Sequence, residues 1–194
     1  MRSIWGISML SRNSSRAGFT LVELIIAVAI LGILATLAVP NFIRLQLRGK
    51  MGEARTNLAA MRSAEQARYA ELGNYVWAGS APGGVPGPGR RAWAGGNALE
   101  FRELLGWVPD GDVHFQYGAN AKGDAYTLTA IADVDGDGAL SQFAVVHPEK
   151  PGTPGLLGEV GTCSRLGVYN RKTDRPDLVD TIGPCGARDG RSQF

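Results

Sequence analysis

The sequence predicts an α+β protein with one long amino-terminal helix and a carboxy-terminal antiparallel β-sheet head. Three observations carry this. An apolar run at 19–39 passes directly into an amphipathic pattern that continues to about Leu72. A Gly/Pro-rich stretch follows. Three short alternating segments then lie between residues 113 and 146.

The averages conceal this order. The chain has 194 residues, of which 44% are hydrophobic and 20% charged, as in an ordinary globular protein. Its net charge of +2 excludes a polycationic nucleic-acid binder and an acidic disordered tail. Two cysteines allow one internal bridge and exclude a disulfide-dense scaffold or a four-Cys zinc site. Yet Leu24–Val39 hold 14 apolar residues in 16, while Arg171–Phe194 hold six in 24.

The helix begins with its apolar part. Phe19 to Val39 is 21 residues, about 32 Å as a helix against a hydrocarbon core of about 30 Å. Insertion into a bilayer is the leading reading. Arg2, Arg12 and Arg16 precede the run without any acid, which favours a cytoplasmic amino terminus. Arg44, Arg48 and Lys50 follow it and argue weakly for the opposite orientation. A cleaved secretory signal is the alternative, but the run ends in Val39-Pro40-Asn41 with no A-x-A site. Glu23 also sits inside the run. A carboxylate at a bilayer centre costs about 2.5–3.5 kcal/mol, so it points to a function and to a partner.

Gly18-Phe19-Thr20-Leu21-Val22-Glu23, followed by apolar residues and Pro40, resembles the leader junction and first helix of type IV pilins and type II secretion pseudopilins. The resemblance is close over roughly residues 12–75 and extends to layout alone beyond. It implies a type IV pilin-like fold, with a leader over 1–18, a membrane and filament-core helix over 19–40, and an amphipathic helix packed on the head over 41–72. A Gly/Pro-rich αβ loop with a short helix is expected over 73–112, then the sheet and a Cys-bounded loop over 113–194. It also implies that a prepilin peptidase cuts after Gly18 and methylates the new amine of Phe19. Met9 is an alternative start that would shorten the leader. In a filament the apolar helices exclude water, so Glu23 would take the Phe19 amine as its partner, within or between subunits. Thr20 belongs to the same assembly motif. Removing one member of a buried pair costs several kcal/mol. Loss of residues 1–18 would leave 17 Lys+Arg against 18 Asp+Glu, a net charge of −1. The precursor's pI of about 8.7 is therefore weak ground for DNA binding.

Beyond Pro40, the apolar stripe is Ile43, Leu47, Met51, Ala54, Leu58, Met61 and Ala64, at helical spacing. Arg44, Arg48, Lys50, Glu53, Arg55, Arg62 and Glu65 mark the opposite, polar face. Gly73-Asn74 should end the helix. Gly32 and Pro40 are its weak points. Membrane helices tolerate both, and the resemblance implies that this stretch bends or melts on assembly.

Residues 79–96 contain seven Gly and three Pro in 18 positions, a mobile loop by composition. Trp77 and Trp93 either cover the sheet edge or form an adhesive surface, the first being preferred. Asn97-Ala98-Leu99-Glu100 has the spacing of a capped helix start, with a stop expected at Gly106. Strands are expected at Val113–Tyr117, Tyr126–Ile131 and Gln142–Val146, in a meander on the outer half of the long helix. A fourth is expected near Gly167–Asn170.

Asp133-Val134-Asp135-Gly136-Asp137-Gly138 carries Asp, Asp, Asp and Gly at the first, third, fifth and sixth places of a calcium loop. The twelfth place, normally Glu, is Ala144. A hairpin turn is preferred, with calcium held by Asp133, Asp135 and Asp137 as the alternative and no other cofactor indicated. Cys163 and Cys185 would be oxidised in an exported head. Type IV pilins commonly carry such a Cys-bounded loop, and two free thiols are the alternative. Closing it stabilises by about 3 kcal/mol in the chain-entropy model. His114 and His147 have no spacing for a metal or triad, and no G-x-S-x-G, H-E-x-x-H or phosphate loop occurs.

An enzyme is not expected. The resemblance implies a pilus subunit for motility, adhesion or DNA uptake, with a pseudopilin or minor pilin as alternatives. The head and the Cys pair favour a pilin, whereas the Asp-rich loop leans towards a pseudopilin. The implied partners are copies of itself, other pilins, the prepilin peptidase, the pilus assembly machinery and the inner membrane. No specific nucleic acid is implied. The implied locations are the bacterial inner membrane as a single-pass protein before assembly, then the extracellular pilus.

Overall fold

The computed structural model describes residues 18–189. The leader arginines Arg2, Arg12 and Arg16, with both candidate starts, lie outside the described residues. The chain divides into two compact units after Asn41.

Helix α1 covers Leu21–Leu72 and keeps Pro40 inside it. In the first unit its large apolar side chains find no cover among the described residues. Leu21, Val22, Leu31 and Ile33 are exposed, and this stretch is long and apolar enough to cross a membrane. In the second unit the helix buries Leu47, Met51, Ala54, Leu58 and Met61. Two expectations for this part are corrected. Ile43 is 47% exposed, and Glu65, expected on the polar face, is fully buried. Glu65 lies four residues after Met61, so the helix period carries it onto the apolar stripe. Gly73, at φ 72°, ends the helix and donates its N–H to the Tyr69 carbonyl at 2.9 Å.

The main sheet has five antiparallel strands in the order β1-β2-β3-β4-β7. These are β1 (Gly79–Ala81), β2 (Gln116–Lys122), β3 (Ala125–Ala132), β4 (Ser141–His147) and β7 (Gly183–Pro184). Strands β5 (Val168–Asn170) and β6 (Arg175–Leu178) form a separate ribbon. The expected meander is β2-β3-β4. Its first strand is displaced, however, starting at Gln116 and not at Val113. The His114 N–H goes to the Glu53 carboxylate at 2.9 Å, and Val113 makes a lone bridge to Arg91. The Gly/Pro-rich stretch is likewise not simply a loop, since residues 79–81 pair with β2.

Every residue of β3 is buried, so both faces of the sheet are covered. Tyr126, Leu128, Ala130 and Ala132 join the core formed with Leu47, Met51, Leu58 and Met61 of α1. The opposite face, unassigned by the sequence, lies under a strap at 155–163. Thr127 Oγ1 donates to the Leu156 carbonyl at 2.9 Å, and Asn120 Nδ2 donates to Leu157 at 2.8 Å. Glycines at 155, 158 and 161 bring the strap down. A Cβ on Gly158 would stand 2.4 Å from Thr129 Cγ2, and one on Gly155 2.3 Å from Val146 Cγ1.

The αβ loop packs by its aromatic rings. Trp93 meets Phe101 and Trp107 edge-on, with centroids 5.3 and 5.6 Å apart. The expected helix after Asn97 is a short turn, α2 (Ala98–Glu100), passing into a π-helical turn at Phe101–Leu105 that ends on Gly106 at φ 75°. Asn97 does not cap it. Its Oδ1 accepts the Ser80 N–H at 3.3 Å, tying the turn to β1.

Candidate functional site

The amino-terminal motif has a defined geometry. The Thr20 N–H and hydroxyl both donate to Glu23 Oε2, at 2.9 and 2.7 Å. The Glu23 N–H donates back to Thr20 Oγ1 at 3.2 Å. This is a reciprocal capping box at the start of α1, satisfying N–H groups that have no partner within the helix. Its signal in the sequence is the T-x-x-E spacing at 20–23. Phe19 is 75% exposed, and among the described residues no atom lies near the place of a Cβ on Gly18. Gly32 likewise has open space beside it, and Pro40 is accommodated within helix. They belong to an apolar stretch whose large side chains are exposed.

In the head, the Asp-rich segment connects β3 to β4. Asp133 Oδ1 accepts the Gly136 N–H at 2.8 Å, and its Oδ2 accepts the Gly138 N–H at 3.1 Å. Asp137 Oδ1 accepts from Ala139 at 2.7 Å. The carboxylates of Asp133, Asp135 and Asp137 lie within 4.8 Å of one another. Burial, the largest cause, raises the pKa of Asp135. Oxygens already serving backbone N–H groups suit a turn, and nothing further marks the cluster as a metal centre. Lys50 secures this turn from α1, its Nζ donating to Val134 O at 3.1 Å and Pro88 O at 2.7 Å.

Cys163 and Cys185 form a disulfide with Cα atoms 4.9 Å apart. It ties the end of the strap to the chain beside β4, where the Cys185 N–H donates to the Gln142 carbonyl at 3.0 Å.

The two histidines are joined to carboxylates rather than to each other. His114 Nδ1 lies 2.7 Å from Glu53 Oε2, and Tyr117 donates its hydroxyl to Glu53 Oε1 at 3.2 Å. Burial, followed by the Glu53 charge, pushes the Tyr117 hydroxyl well up. His147, at the end of β4 as expected, pairs with Asp180 at 2.5 Å. Glu65 is the group that sequence reasoning placed on the wrong face. Its Oε2 accepts the Val76 N–H at 2.9 Å, while Oε1 is buried without a partner. Burial pushes its pKa up to about 7, against the lowering effect of the Val76 bond.

A capped apolar helix running into a sheet-bearing head, with one acid near its start, defines a pilin-like subunit. Comparison with known proteins narrows this class. Residues 13–39 match the family described as the prokaryotic N-terminal methylation motif. The type IV major pilin protein PilA of Myxococcus xanthus (strain DK1622) is 46% identical over 193 residues, covering 94% of this chain and 78% of that protein. The type IV major pilin protein PilE1 of Neisseria gonorrhoeae is 37% identical over 76 residues, covering 39% of this chain and 35% of that protein. The chain belongs to the type IV pilin family.

Proposed function

We propose that this chain is made as a single-pass inner-membrane precursor, cut after Gly18 by a prepilin peptidase, methylated on Phe19 and polymerised into a surface pilus. The observation that carries this is the exposed apolar half of α1, opened by the Thr20–Glu23 cap. In lipid the exposed side chains are covered by acyl chains, and in a filament by the same helix of other copies. Glu23 then takes the Phe19 amine as its partner and sets the register of addition.

The parts have distinct roles in this scheme. Residues 1–18 are the leader, 19–40 the membrane and filament-core helix, 41–72 the helix packed on the head, and 73–194 the surface-bearing loop and sheet. The Gly32–Pro40 stretch bends on assembly, and unchanged filament geometry in Pro40→Ala would count against that bend. The subunit works as a structural element rather than as an enzyme, in a filament serving motility, adhesion or DNA uptake. Other pilins and the assembly machinery are its partners. A pseudopilin role is not favoured, because the relatives above are major pilins and the Asp-rich segment is organised as a turn.

Mass spectrometry of sheared surface filaments tests the reading. An abundant peptide starting at methylated Phe19 is expected. Filaments that lack this chain, or that carry it with residues 1–18 attached, would refute it.

A further inference from the structure

We propose that Glu65 is a proton-operated latch on the sheet edge, holding the segment Tyr75–Ala81 shut when neutral and releasing it when ionised. The segment follows α1 directly and ends in edge strand β1. Tyr75 and Ala78 give their N–H groups to the Gly123 and Ala119 carbonyls at 3.0 and 3.1 Å. Val76, between them, gives its N–H inward to Glu65 Oε2. Glu65 is thus a hydrogen-bonded link from α1 to the edge segment.

The site suits a neutral acid. Glu65 is fully buried, and its Oε1 has no partner. Among the described residues no cation stands within ion-pair distance of it. Tyr75 from the segment itself and Tyr126 from β3 both sense its charge. Behind them stand His147 on β4, whose ring stacks on Tyr126 at 5.0 Å, and Asp180, bonded to that histidine. Tyr69 on α1 packs on Tyr75 at 4.6 Å and bonds to Asp124 of the β2–β3 turn. Of the two flanking cations on α1, Arg62 directs its guanidinium to the Asp180 carbonyl at 3.1 Å and Arg68 pairs with Glu71 at 2.9 Å.

The arginines three residues to either side of Glu65 are already engaged, Arg62 with the Asp180 carbonyl and Arg68 with Glu71 and the Glu103 carbonyl. An ionised carboxylate here lacks a counter-charge, and such burial is costly. Local opening lets it reach water, and the edge segment is the lid that must move. Opening uncovers the β2 edge, a row of unpaired N–H and C=O groups. The loosening therefore follows rising pH through neutrality.

The test is amide hydrogen exchange on the full-length protein in detergent micelles, with each rate divided by its intrinsic rate. From about pH 6 to about pH 8, protection at Val76 and along β1 should fall about tenfold while β3 stays unchanged. Glu65→Gln, which keeps an acceptor but cannot ionise, should hold protection constant. A flat profile in the natural protein overturns the latch. The same fall in Glu65→Gln overturns it too, and assigns the effect to another group such as His147. If Glu65→Gln does not fold, a carbon-13 titration of the Glu65 carboxyl decides. A midpoint above about pH 6 supports the latch, and one below about pH 6 removes it.

Discussion

Thr20 and Glu23 hold each other at the first turn of α1, with the Thr20 N–H and hydroxyl meeting one carboxylate oxygen at 2.9 and 2.7 Å. In the proposed pathway this cap has a second consequence. While the Gly18–Phe19 peptide bond is intact, no amine exists at Phe19. The cap then gives the carboxylate polar partners inside an apolar run, where an unpaired charge is costly. Cleavage creates the competing partner.

The two residues can be separated by mutation. Glu23→Ala should leave leader removal intact and abolish filament incorporation. Thr20→Ala removes the cap at a cost of about 1 kcal/mol and should still assemble. Leader removal is read by mass, and incorporation by the yield of sheared filaments. Equal losses in both variants would reduce Glu23 to a helix cap.

The strap makes a prediction about stability. Gly158→Ala places a methyl group 2.4 Å from Thr129 Cγ2, so the strap must lift or the strand must shift. The expected cost is about 1–3 kcal/mol in chemical denaturation. Cys163→Ser with Cys185→Ser frees the strap at its far end. It should lower stability by about 3 kcal/mol and Tm by about 6–12 °C. An unchanged Tm in the double variant would show that the strap is held by its hydrogen bonds alone.

These contacts explain what the sequence did and did not disclose. The long helix was legible because burial at Leu47, Met51, Leu58 and Met61 follows a period that needs no knowledge of the partner. The central strands were legible for the same reason, with Tyr126, Leu128 and Ala130 alternating. Glu65 was not legible, because its charge marks a polar face while its position falls on the same stripe as Met61. His114 was read as a strand residue because its segment alternates, but a carboxylate 61 residues earlier takes its N–H. The strap was not legible at all. Its signal is three glycines spaced by three, and small residues become informative only when the surface they approach is known.

The Asp-rich turn offers a contrast between backbone and metal. Asp133 serves the Gly136 and Gly138 N–H groups, so Asp133→Ala should destabilise the head by about 1–2 kcal/mol whether or not calcium is present. A calcium titration of the natural protein should leave Tm unchanged. A Tm that rises with calcium and is insensitive to it in Asp133→Ala would replace the turn by a metal site.

Glu65 contributes a pH dependence to folding with a sign opposite to that of a salt-bridged carboxylate. Its folded pKa of about 7 stands above its ordinary value of 4.5, so the folded state holds a proton that the unfolded state releases. Its contribution is whole below pH 4.5 and is lost as pH rises to about 7. The full loss is about 3 kcal/mol from this group. Unfolding by urea at a series of pH values should therefore show stability falling across this window. Glu65→Gln should remove the fall and be the more stable form at neutral pH. A natural protein with no slope between these limits would mean that the carboxyl finds water in the folded state. Loss of stability in Glu65→Gln at every pH would mean that the Val76 bond needs the acid itself.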